Sequence, residues 1–170
     1  MAEKEQIYSS KVKYEGIFNF KEFYKFCYDW LTEETGLKVL EDEYSEKITG
    51  NAKELKIIWK GFSELTDYFK FEIKVEFHIL NMVDVEINQE GVKIKTNKGI
   101  IKTTVKGDLV RDYKGKFETS AFNKFIRGIY EKYMITQRVL QFEDYIVSKC
   151  DEFLGQSKAY LDLEGKSRHQ

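Results

Sequence analysis

Residues 68–80 read YFKFEIKVEFHIL. Phe69, Phe71, Ile73, Val75, Phe77 and Ile79 alternate with Lys70, Glu72, Lys74, Glu76 and His78, a period of two over eleven positions. Successive side chains of a strand point to opposite faces, so this stretch has one apolar and one charged face. A sheet built on it is antiparallel and covered on one side only. The cover must come from elsewhere in the chain, and that requirement organises the rest of the reading.

Val83, Val85 and Ile87 extend the alternation beyond residue 80. Turns at Gln89-Glu90-Gly91 and at Asn97-Lys98-Gly99 then separate Val92 and Ile94 from Ile101, Thr103, Val105 and Leu109. Upstream, residues 37–48 and 53–62 read as strands joined at Gly50-Asn51, and residues 7–17 as a first strand. With no proline in the chain, Gly, Asn, Asp and Ser must make every turn. The count is six or seven strands. Gly61, Gly107 and Gly128 fall inside elements, where glycine marks a bulge or a close packing point.

Two segments can cover the sheet. Residues 19–35 open with Asn19 as N-cap and Glu22 three residues on, and Phe18 can staple to Phe23. Phe20, Phe23, Tyr24, Cys27, Trp30 and Leu31 recur at helical spacing, and Gly36 closes the helix. Residues 119–163 read as helix with two stripes. Phe122, Phe125, Ile126, Ile129, Tyr130 and Tyr133 form the first; Val139, Phe142, Ile146, Cys150, Phe153 and Tyr160 form the second. The register changes around residues 135–138, where the helix must bend, fold back or leave the domain. The expected fold is α+β, a curved antiparallel sheet gripping a long C-terminal helix, with one helix after the first strand. The chain of 170 residues suits a single domain, with residues 1–6 and 164–170 as frayed tails.

Composition removes several classes. No apolar run is long enough for a spanning helix, and the charged first ten residues do not read as a secretory signal. Cys27 and Cys150 cannot make a disulfide framework or a four-ligand zinc site, and they fit a reducing compartment. A cytoplasmic protein is the expectation. His78 lies on the charged face, and no HxH, HExxH, CxxC or glycine-rich phosphate pattern occurs. No catalytic residue, metal ligand or cofactor is assigned, and an enzyme is unsupported.

The element order resembles the helix-grip arrangement of START-like (SRPBCC) proteins, with one helix where that fold usually has two. Thr66-Asp67-Tyr68-Phe69-Lys70 and Val110-Arg111-Asp112-Tyr113-Lys114-Gly115-Lys116-Phe117 are similar to blocks in uncharacterised archaeal proteins. Two functional readings follow. The first is a carrier for a small hydrophobic molecule or lipid, held between sheet and C-terminal helix. Phe71, Ile73, Phe77, Val85, Thr103, Val105, Phe125, Ile129 and Tyr133 would line the cavity, or else simply fill a core. The second is an interaction module in which residues 138–163, through Phe142, Ile146, Phe153 and Tyr160, contact a second copy or another protein.

Charge adds one feature. Residues 92–117 carry eight basic residues and two acids, while the whole chain nets −1. Lys93, Lys95, Lys102, Lys106 and Arg111 are read as a basic patch, either for an anionic partner or as a solvated face with edge protection. The near-zero net charge and the lack of an RNP-type signature argue against a dedicated nucleic-acid binder.

Overall fold

The alternating stretch lies in β4 (Phe69–Gln89), which pairs along its length with β5 (Val92–Arg111). We describe a computed structural model in which residues 3–115, 121–130, 132 and 136–168 are defined, side chains being described through residue 165. β1 (Glu3–Phe18) flanks β5, and β3 (Ala52–Glu64) and β2 (Lys38–Thr49) continue beyond β4. The order is β1-β5-β4-β3-β2, with every neighbouring pair antiparallel. Helix α1 (Phe20–Thr35) follows β1; α2 (Ala121–Ile129) and α3 (Thr136–Arg168) follow the sheet. This α+β architecture fits a helix-grip arrangement.

The sheet has five strands rather than six or seven, and the reason is local. Asn97, Lys98 and Gly99 make no turn: they pair with Phe18, Ile17 and Gly16 of β1 while β5 runs straight through. What interrupts the pattern is a bulge in β4 between Leu80 and Val83, with Asn81 in the left-handed region at φ 53°. A Cβ at Gly99 would lie 2.9 Å from the Leu80 carbonyl oxygen, so glycine is what lets the bulged backbone approach. The extra residue reverses the alternation. Ile79 and Met82 both face the helices, whereas Val83, Val85 and Ile87 move to the other face.

α1 forms as its caps require. Asn19 Oδ1 accepts from the Glu22 amide at 3.1 Å, and Gly36 ends the helix at φ 68°. Two further amides at its start are met from distant parts of the chain, Phe20 N–H donating to Asn97 Oδ1 and Asn19 N–H to Glu164 Oε2. Glu164 thus sits on a helix that is ordered to Arg168, and Glu3 to Gln6 pair with β5. The expectation of frayed segments at 3–6 and 164–168 is corrected accordingly.

α3 supplies the grip. Ile146, Cys150, Phe153, Leu154 and Leu161 are buried against β1, β5 and α1. Trp30 packs on Phe153 at 5.6 Å, and Phe26 stacks on Tyr160 at 4.4 Å. A Cβ at Gly107 would lie 2.7 Å from Cys150 Sγ and 2.8 Å from Ile146 Cγ2, so the bare backbone there is the notch into which α3 settles. Phe142, Ile146, Phe153 and Tyr160 all pack on the core of their own chain. Their expected contact with a second copy is therefore replaced by folding back onto the sheet, the cheapest apolar surface within reach.

Candidate functional site

With α3 holding the grip, α2 is left at the end of the sheet where β4 starts and β5 finishes. Phe122, Phe125, Ile126 and Ile129 recur at i, i+3, i+4 and i+7, so they share one helix face. That face points to solvent: the four are 68%, 65%, 38% and 43% exposed. Arg127, on the far side of the same helix, is only 7% exposed. The amphipathic helix is seated on its polar side.

The seat is an ionic and aromatic socket. Arg127 Nε donates to Tyr68 Oη at 2.9 Å, and Nη2 lies 2.7 Å from Glu3 Oε2. Nη1 lies 4.0 Å from Asp112 Oδ2, whose side chain is buried. Tyr130 meets Tyr68 edge-on at 5.8 Å. Guanidinium suits this role because its fixed fork can satisfy several oxygens at once. The socket draws on both blocks noted in the sequence, and the structure packs them together. Tyr113 Oη donates to the Thr66 carbonyl at 2.7 Å, and Lys114 Nζ lies 3.0 Å from Asp67 Oδ1. Gly128, on a flank of the outward stripe, has no neighbour within 4 Å of where a Cβ would sit.

A second concave region lies between α1 and the outer strands. Phe20, Lys21, Tyr24, Glu41 and Tyr44 line a groove of about 450 Å³. It shares Phe20, Lys21 and Tyr44 with a space of about 390 Å³ that reaches Leu55, Met82 and Asn97. Buried Trp59 backs Tyr24, meeting it edge-on at 4.9 Å and donating from Nε1 to Tyr24 Oη at 3.2 Å. Tyr24 Oη in turn donates to Glu41. Burial, and then that bond, push the Tyr24 hydroxyl up to about 12, so the phenol stays protonated and its orientation is fixed.

The nine residues expected to line a cavity separate into three groups. Phe71, Ile73, Phe77, Thr103 and Val105 do meet on the helix side of β4 and β5, at 0–3% exposure, as close-packed core. Val85 is on the opposite face beyond the bulge, and Phe125 and Ile129 are on the outward side of α2. Tyr133 lies outside the described residues. The basic patch divides as well. Lys102 and Lys106 are on the helix-free face, whereas Lys93 and Lys95 project from the other side of the β4–β5 ribbon. Arg111 pairs with Glu5 at 3.0 Å.

Burial raises both thiols, Cys150 to about 12 and Cys27 well above its usual value, so neither offers a thiolate. No group of three or more His, Cys, Asp or Glu is placed to hold a metal ion among the described residues. None of the described helices is long and apolar enough to cross a membrane. Arg127 and its socket escaped the sequence reading because an arginine opposite an apolar stripe normally marks the solvent side. Comparison of the chain with protein-family models, with curated proteins and with solved structures finds no match.

Proposed function

We propose that this protein is a binding module that presents α2 as a helical ligand to an apolar groove on a partner protein. The observation that carries this is the outward stripe of Phe122, Phe125, Ile126 and Ile129, the i, i+3, i+4, i+7 anchor pattern by which helices seat in grooves. Taking about 200 Å² for each large side chain, the four expose on the order of 400 Å². Two copies meeting face to face would bury at most about 800 Å² through it, short of the about 1,200 Å² of a stable interface. A groove that wraps both flanks of the helix buries more, and bare Gly128 allows its wall to come close. Exposed Lys132, three residues beyond Ile129, favours an acidic rim.

The test is site-specific photocrosslinking in the whole chain from position 125, with position 74 on the sheet as control. A discrete adduct from 125 alone, lost in Phe122→Ser, identifies the partner. That partner, once purified, binds the unmodified protein and loses at least about tenfold affinity for Phe122→Ser. An adduct only with a second copy, or none specific to 125, overturns the proposal.

A second reading keeps the carrier function and moves it to the groove between α1 and β2, where Phe20, Tyr24 and Tyr44 offer aromatic walls and Lys21 and Glu41 polar rims. A hydrophobic ligand there would change Trp59 emission through Tyr24. Titration with an apolar fluorescent probe, repeated on Tyr44→Ala, decides between saturable binding at this groove and none.

A further inference from the structure

The helix-free face of the sheet carries a cation row that strand register assembles. Lys106 of β5 stands opposite Lys74 of β4, and Lys74 opposite Lys60 of β3. Like charges directly opposed on neighbouring strands repel, so the row is unfavourable by itself. Lys60 is held by Asp42 at 3.1 Å; Lys74 and Lys106 make no ion pair among the described residues. The row crosses a groove of about 290 Å³ whose lining also includes Leu40, Phe62, Lys4, Glu72 and Asp108.

The neighbouring rows are acidic. Glu76 stands opposite Thr104 on one side of the lysines, and Glu72 opposite Asp108 on the other. Glu72 and Asp108 are already engaged by Lys4, at 2.7 and 3.5 Å, and Glu72 also by Lys70 at 2.9 Å. Lys106 of the row also acts on Asp108 through its charge, and these carboxylates restrict what can lie on the row. An extended polyanion running along the strands would cross carboxylates on either side. Continuing across the strands, it would run out of cations at Ser9 and at Leu40. A short anion lying across β5, β4 and β3 meets the three lysines along its length, with Asp42 beside Lys60 and the Lys4-bound pair Glu72 and Asp108 at one edge.

We propose that Lys60, Lys74 and Lys106 bind a compact oligophosphate in this groove. Three strands about 4.8 Å apart give a row about 10 Å long, which suits a chain of two or three phosphate groups. Lysine serves as a point-charge phosphate ligand, and its flexible stem lets three heads converge. The site is independent of α2 and stands whether or not that helix has a partner.

The probe is inorganic tripolyphosphate, titrated calorimetrically into the full chain at low and at physiological salt. Saturable one-to-one binding, tighter than for orthophosphate, is expected to weaken about tenfold in Lys74→Ala and further in Lys74→Ala/Lys106→Ala. Lys93→Ala/Lys95→Ala, on the other side of the ribbon, and Phe125→Ser should bind as the unmodified protein does. Because the row is repulsive, Lys74→Ala should unfold no earlier than the parent, which separates lost binding from lost folding. No saturable binding, equal weakening in the Lys93/Lys95 variant, or tighter binding of a single-stranded oligonucleotide or of phosphatidylserine vesicles through the same lysines would overturn the proposal.

Discussion

If α2 is seated by its polar side, the usual ranking of helix substitutions inverts there, and three variants test it. Phe153 of α3 is 1% exposed, and Phe153→Ser should cost about 3–5 kcal/mol as a large buried side chain is removed. Phe125 is about one-third covered. At about 200 Å² for the side chain and 25 cal/mol per Å², Phe125→Ser loses at most about 2 kcal/mol. A partly collapsed unfolded chain lowers that to about 1 kcal/mol. Arg127→Met keeps the length of the side chain but removes the cation from beside Asp112 and Glu3 and the donor from Tyr68. Breaking a buried charge pair from one side costs about 3 kcal/mol. Urea unfolding at low protein concentration reads all three, and a chain of this size should lose about 2–4 °C of Tm per kcal/mol. The reasoning is refuted if Phe125→Ser costs as much as Phe153→Ser while Arg127→Met is neutral. That result would mean the stripe faces inward.

Two further outcomes are expected. Gly107→Ala places a methyl within 3 Å of Cys150 Sγ and Ile146 Cγ2, so it should cost about 1–3 kcal/mol by overpacking; adding Cys150→Ala should recover part of that loss, and strictly additive costs in urea melts would show that α3 does not seat at Gly107. Burial pushes Glu72 up, but hydrogen bonds and charge from Lys4 and Lys70 outweigh it and hold the carboxyl below its usual value. A depressed folded-state pKa contributes stability above the unfolded pKa, about 4.3, that is lost as pH falls through the folded value. Lys4→Met should flatten that acid limb in melts followed against pH, and an unchanged limb would count against the pairing.

Much of the fold was legible along the chain because it depends on local periodicity. The alternation from Phe69 to Ile79 demands a strand with one buried face wherever it is placed. Asn19, Glu22 and Gly36 delimit α1 by capping chemistry that acts within a few residues. Gly107 inside a strand reads as a bulge or a close packing point for the same reason, and α3 settling on it makes it the second.

Other features depend on where distant residues come to lie, and periodicity carries no information about that. One extra residue at Asn81 turns Val85 to the other face, and the strand beyond it still alternates as before. The two helical stripes looked equally apolar, and their roles are exchanged relative to the expectation. Phe153 and Ile146 find the notch at Gly107, while Phe122 and Phe125 stay outside. The choice falls to Arg127, which turns α2 over because Tyr68, Glu3 and Asp112, from three separate strands and their ends, converge where only a cation fits. The lysine row has the same origin. Lys60, Lys74 and Lys106 lie far apart in the chain and become one site through the register of three strands. A sequence specifies which residues can share a face of their own element, and only the assembled sheet determines which of them meet across it.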